Sequence, residues 1–168
     1  MTAPPGEAGD PAWALHDAAI RAAPLRWAGY LSTTGIYGDR GGAEVDEATD
    51  PSPIQPRSVR RLAAERQWQA LPCAVDVMRV GGIYGPGRSI LDRINDGRAH
   101  RIDLPGQDFS RVHVDDIAGG VIASFRGPAG IYNLADDEPC HQNRLVEWGC
   151  AMLDAPLPPL LPLDEAGL

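Results

Sequence analysis

Short apolar runs alternating with segments of helical periodicity predict an α/β fold built on a parallel sheet. Three runs carry the strand side of that pattern: Trp27–Leu31, Cys73–Val80 and Gly130–Ala135. Between them lie stretches whose apolar residues recur three and four apart, the spacing of one helix face. The size agrees, because 168 residues and 18.0 kDa suit one domain. Gly 19 and Pro 16 make many turns and short elements the expectation.

Residues 1–10 form an irregular lead-in rich in Pro, Gly and acid. Asp10 before Pro11 reads as N-cap and first helical position. The helix they open runs to Ala23, carries Leu15, Ala18, Ala19 and Ala22 on one apolar face, and is ended by Pro24. Trp27–Leu31 is then a buried strand that terminates in Ser32-Thr33-Thr34-Gly35. Residues 39–55 make a long acidic loop, with Asp39, Glu44, Asp46, Glu47 and Asp50. Loops of this length are often functional. A second helix spans Pro56 to Ala70, and the Val-rich run Cys73–Val80 is the next strand. It leads into a glycine-rich turn, Gly81–Gly87. Ile90, Leu91 and Ile94 give a short helix with Gly97 at C′. Val112 and Val114 flank His113 in an extended piece, and Asp115 caps a helix bearing Ile117, Val121, Ile122 and Phe125. After the strand at 130–135, Leu145, Val146, Gly149, Met152 and Leu153 make a last helix. The domain proper thus covers 11–153, and 154–168 is a Pro/Leu-rich tail.

Charge narrows the function classes. The formal net charge is −8 and the sequence pI is about 4.8. A nucleic-acid surface needs a basic stripe to meet phosphates, and a polybasic membrane contact needs the same, so neither is expected. No apolar run approaches the ~20 residues of a membrane span. The opening residues lack the basic and apolar regions of a secretion signal. Three cysteines without a CxxC spacing fit a reduced, cytoplasmic chain.

Four segments in this order resemble the extended short-chain dehydrogenase/reductases, in particular the NAD-dependent epimerase/dehydratase group. They are Ser32-Thr33-Thr34-Gly35-Ile36-Tyr37-Gly38, Arg79-Val80-Gly81-Gly82-Ile83-Tyr84-Gly85-Pro86-Gly87-Arg88, Val112-His113-Val114-Asp115-Asp116 and Ile131-Tyr132-Asn133-Leu134. Each alone is weak; four in sequence over residues 25–135 are fairly specific. The resemblance implies the C-terminal portion of a Rossmann-type doubly wound parallel sheet with a small substrate-domain part. It also implies NAD or NADP as cofactor. The activity implied is hydride transfer at a hydroxyl or carbonyl carbon of a small molecule such as a nucleotide-sugar.

The family's catalytic set is a Ser or Thr after one strand plus Tyr-x-x-x-Lys on the following helix. By position Thr33 matches the Ser/Thr, with Ser32 and Thr34 beside it. Aligning Leu62-Ala63-Ala64-Glu65 with the residues that follow the lysine puts Arg61 at the Lys position and Arg57 at the Tyr position. Residues i and i+4 share a helix face, so the spacing fits. The chemistry differs, since a guanidinium stays protonated and cannot do the phenol's work. The resemblance assigns cofactor contacts to Ala3, Pro4, Ser32, Thr33, Arg61, Val80, Gly81 and Gly82. Substrate contacts fall to Thr34, Arg88, Arg111 and His113. The family's phosphate-binding glycine turn has no counterpart before residue 35, so the chain reads as starting midway through the Rossmann domain.

Blander readings stand beside these. Thr33 can serve as a strand-end hydroxyl satisfying backbone groups. Arg57, Arg60 and Arg61 can be a solvated basic face, with Glu65 pairing Arg61; alternatively Arg57 and Arg61 clamp an anion. His113 reads more readily as a packed histidine than a catalytic one. Asp136, Asp137, Glu138, Cys140 and His141 lack a recurrent metal spacing, so no metal is expected. Trp13, Trp27, Trp68 and Trp148 are expected in the core. A catalytically silent interaction module or truncated gene product is the rival reading, in which the apolar strand 26–31 recruits a partner or a second copy.

Overall fold

Asp10 opens the first helix by accepting, at Oδ1, the N–H groups of Ala12 (2.8 Å) and Trp13 (3.3 Å). Pro11 takes the first position, where no N–H is needed. The computed structural model describes residues 3–104, 106, 108–162 and 164. The chain begins with α1 (Pro11–Ala22), β1 (Trp27–Thr33), a 3-10 turn (Thr34–Tyr37), α2 (Pro56–Gln69) and β2 (Ala74–Val80). Then come β3 (Gly82–Tyr84), α3 (Ile90–Asn95), β4 (Arg101–Ile102), β5 (Asp108–Phe109) and β6 (Arg111–His113). It ends with α4 (Val114–Ser124), β7 (Ile131–Leu134), β8 (Cys140–His141), α5 (Gln142–Leu153) and β9 (Leu160–Leu161). These elements gather into two compact units: Met1–Gly81 with Asp116–Leu134, and Gly82–Asp115 with Ala135–Leu168.

The first unit holds a parallel sheet in the order β1-β2-β7. Its register runs from Trp27↔Ala74 to Thr33↔Val80 and from Val77↔Ile131 to Val80↔Leu134. Thr33, Val80 and Leu134 therefore finish at one edge, the carboxyl end where open α/β sheets bind ligands. β2 is the central strand, and residues 76–80 are buried without alternation, as a doubly covered strand requires. The core beside β1 joins Ala12, Trp13, Ala28, Tyr30, Ala64, Trp68 and Leu71. Trp13 meets Trp68 edge-on at 5.4 Å, and Tyr30 stacks on Trp68 at 6.3 Å. Asp10 ties the helices together as well, because its Oδ2 accepts from Trp68 Nε1 at 3.2 Å.

Two packing expectations need correction. The face of Leu15, Ala18, Ala19 and Ala22 is exposed, Leu15 by 75%. The buried side of α1 is Ala12 and Trp13, and His16 (φ −135°, ψ 18°) breaks the helix between the two faces. One indole removes more apolar surface from water than several alanines, so Trp13 decides the orientation. Trp148 is likewise 57% exposed rather than in the core.

The second unit pairs β3 with β6 and β4 with β9 in parallel, and β5 with β8 antiparallel. Its core packs α3 on α5 through Ile90, Val146 and Cys150. Gly82–Tyr84, expected in a turn, is strand, because β6 supplies pairing partners far away in sequence. The Pro/Leu tail likewise contributes β9. α4 starts at Val114, one residue before the expected cap. His113 takes the capping role, its Nδ1 accepting the Asp115 N–H at 3.2 Å. α3 begins with a reciprocal capping box between Ser89 and Asp92, and Gly97 (φ 66°) sits just past its end as expected. Among the described residues no helix is long and apolar enough to cross a membrane.

Candidate functional site

The carboxyl edge of the β1-β2-β7 sheet is the candidate site. β1 ends at Thr33, whose Oγ1 accepts the Gly35 N–H at 3.2 Å and so caps the 3-10 turn. Thr34 begins that turn and is half-buried. Gly38 follows at φ 75°, and a Cβ there would sit 2.1 Å from Ser52 O, so only glycine lets the acidic loop return this closely. The loop is pinned by the Ser52 N–H on Ile36 O (3.0 Å) and by Arg40 Nε on Tyr37 O (3.0 Å). Glu47 completes the strap, Oε1 accepting the Asn133 N–H on β7 at 2.7 Å.

Beneath this edge runs a buried polar chain. Ser32 is buried and donates its hydroxyl to Glu65 Oε1. Glu65 forms a two-pronged ion pair with Arg79, Nη2 to Oε2 at 3.0 Å and Nε to Oε1 at 3.4 Å. Arg79 Nη1 donates to the Tyr37 hydroxyl at 2.9 Å, and that hydroxyl donates to Asn133 Oδ1 at 2.8 Å. Burial alone would lower the Arg79 pKa, but the Glu65 and Tyr37 contacts outweigh it and hold the guanidinium above its ordinary value. Glu65 thus pairs with Arg79, and not with Arg61 as the solvated-face reading had it. The reason is positional: Glu65 turns into the protein against the central strand. Tyr37, Arg79 and Asn133 each lie in a motif legible in the sequence, and Glu65 in the segment that follows the lysine position, but nothing local tied Glu65 to the central strand.

Arg61 is aimed elsewhere. Its Nη1 donates to Tyr30 Oη (3.2 Å), Leu31 O (3.2 Å) and Ala3 O (3.4 Å), and the guanidinium lies 5.7 Å from the Tyr30 ring centroid. Burial raises the Tyr30 pKa, partly offset by that Arg61 hydrogen bond. Arg57 is exposed and donates from Nε to Gln55 Oε1 at 2.8 Å, so the two arginines are held by different partners. Pro4 is exposed, Val80 is buried at the end of β2, and Gly81 donates its N–H to Leu134 O at 3.0 Å. The first unit therefore brings Ala3 to Arg61, and aligns Thr33 with Val80 in neighbouring strands.

The remaining candidates belong to the second unit. Gly82 is exposed in β3, and Arg88 is exposed after the Gly85–Gly87 turn. Arg111 is engaged by Cys140 O (3.0 Å), Cys140 Sγ (3.3 Å) and Gln142 Oε1 (3.1 Å). His113 sits edge-on to Tyr84 at 5.3 Å and 3.6 Å from the Asp115 carboxylate. Among the described residues no group of three or more His, Cys, Asp or Glu is placed to hold a metal.

A dinucleotide cofactor finds a partial fit. Carbonyl and hydroxyl acceptors with one guanidinium, at Ala3, Thr33 and Arg61, suit a hydroxyl-rich ribose. The Gly81–Gly87 run is not a pyrophosphate cradle, because Gly82–Tyr84 is paired strand and the following α3 has six residues capped by its own Ser89.

No protein-family model matches the chain. Protein YeeZ of Escherichia coli (strain K12) is 31% identical over 125 residues, 70% of this chain and 42% of YeeZ. A functionally unknown conserved protein from Silicibacter pomeroyi DSS is 44% identical at a TM-score of 0.90, covering 99% of this chain and 61% of that one. A protein from Methylobacillus flagellatus assigned as an NAD-dependent epimerase/dehydratase is 26% identical at a TM-score of 0.70, covering 86% of this chain and 54% of that one. The chain thus spans between two fifths and about three fifths of the length of these proteins.

Proposed function

Because the chain is a relative of the extended short-chain dehydrogenase/reductases, in their NAD-dependent epimerase/dehydratase group, we propose that it contributes the substrate-side half of an NAD(P)-linked epimerase, dehydratase or reductase. The observation that carries this is Arg61. Motif alignment gives it the family's lysine position, and its Nη1 donates to Ala3 O and to Leu31 O in β1, two residues before Thr33. A bound nicotinamide would supply hydride chemistry at a hydroxyl or carbonyl carbon of a small substrate. Thr33 orients the substrate oxygen by a hydrogen bond. Arg61 provides a fixed positive charge and donors toward a ribose, but no proton, since it stays protonated throughout. Arg57 cannot replace the family's tyrosine, so proton transfer falls to solvent or substrate. Arg88, Arg111 and His113 are assigned to an anionic group such as a sugar-nucleotide phosphate.

Fluorescence titration of the chain with NADH and NADPH tests this. Binding tighter than about 100 μM, weakened tenfold or more by Arg61→Ala, is the expected result. No binding would overturn the reading for this chain. It would leave a second one, an interaction module, favoured by β1 pairing, among the described residues, with β2 alone. A clean monomer in sedimentation at micromolar concentration would count against that alternative.

A further inference from the structure

The opposite end of the same sheet holds an arrangement that the proposed chemistry does not use. Asp76, near the start of β2, is fully buried. Its Oδ2 accepts from Trp27 Nε1 at 2.6 Å and its Oδ1 from the Gly130 N–H at 3.0 Å. Both donors are neutral, and among the described residues no cationic side chain lies within ion-pair distance of it. Held by neutral donors alone, this buried carboxylate has no ion-pair partner to offset its field, which acts on its surroundings through a low-dielectric path. Trp27 and Phe125 meet edge to face, centroids 4.5 Å apart, and line a cavity with Asp76, Ser124 and Arg26.

We propose that this cavity binds a small organic cation, a primary alkylammonium, against the Trp27 indole. The cation need not touch the carboxylate. An indole N–H held by a carboxylate is polarised, so its ring face attracts a positive charge more strongly. The ring is fixed for this role: it folds over Gly29, where a Cβ would lie 2.4 Å from its Cη2. Phe125 is 58% exposed and supplies a second aromatic wall, against which the alkyl chain packs. Arg26 also lines the cavity but is exposed, so water screens its repulsion, whereas the field of Asp76 acts through protein.

The Trp27 indole N–H is a direct reporter, since it donates to Asp76. The isotope-labelled chain is titrated with n-butylammonium chloride while that resonance, assigned with Trp27→Phe, is followed by NMR. Sodium chloride at equal ionic strength and n-butanol are the controls. A saturable shift with a midpoint of roughly 1–10 mM is expected for five non-hydrogen atoms, and no saturable shift with either control. Phe125→Ala, at an exposed position, weakens binding about tenfold, and Asp76→Asn abolishes it. Arg26→Gln leaves it unchanged or tightens it. A resonance that does not move, moves equally with butanol, or is indifferent to Phe125→Ala overturns the proposal. So does loss of binding in Arg26→Gln.

Discussion

Glu65 on α2 and Arg79 on β2 face one another as a two-pronged pair, with side chains 1% and 3% exposed. Ser32 adds a hydrogen bond to Glu65 on one side, and Tyr37 accepts one from Arg79 on the other. Glu65→Gln therefore leaves a guanidinium buried without its counter-charge, and should lower stability by about 3–5 kcal/mol in urea unfolding. Replacing both partners, as Glu65→Leu with Arg79→Met, should cost clearly less than the sum of the single changes.

Asp10 joins a helix cap to a cross-helix contact. Asp10→Ala should cost about 2–4 kcal/mol, the lost cap plus the Trp68 indole N–H left buried and unpaired. Asp10→Asn, which keeps an acceptor at the cap, should recover part of this. Thermal unfolding of the two variants beside the parent separates the effects.

Tyr30 titrates above the ordinary tyrosine value because it is buried, while Arg61 pulls it down. Arg61→Met removes only the opposing influence, so the Tyr30 phenol should move further up in an ultraviolet difference titration. A raised folded value means this contribution to stability is complete below the ordinary tyrosine pKa. It is lost as pH rises through the folded one. An unchanged or lowered Tyr30 titration in the variant would refute the contact.

Asp92 is held below the ordinary carboxylate value, first by the Ser89 hydroxyl and then by the Ser89 N–H. Its contribution to stability is therefore present above the usual carboxylate pKa and is lost as pH falls through the depressed one. Asp92→Asn should melt at a lower temperature than the parent at neutral pH and at the same temperature near pH 2. A pH-independent difference would contradict the capping box.

Much of this molecule was legible residue by residue. The cap at Asp10-Pro11, the helix from Pro56, the strands around Tyr30 and Val77, and Gly97 past α3 all follow from rules acting within a few residues. The motif at Ser32–Gly38 and those that follow it pointed to the fold of its structural neighbours. The candidate site was legible only in part. Thr33 and Arg61 were placed by motif position, yet their contacts, a turn N–H for one and three strand and lead-in oxygens for the other, needed the sheet to be assembled.

Local pattern, then, determined the alternation of strand and helix, the helix starts and the order of the motifs, because capping and periodicity are short-range. Tertiary structure alone decided that Glu65 seeks Arg79 and that His113 caps α4. It also decided that Leu15 and Trp148 face water and that Gly82–Tyr84 is strand rather than turn. Those outcomes depend on which chain segment lies alongside, as when Tyr37 meets Asn133 across 96 residues. The competition among distant partners for a buried charge, an unpaired N–H or a ring face is settled by packing, and no window of neighbouring residues encodes it.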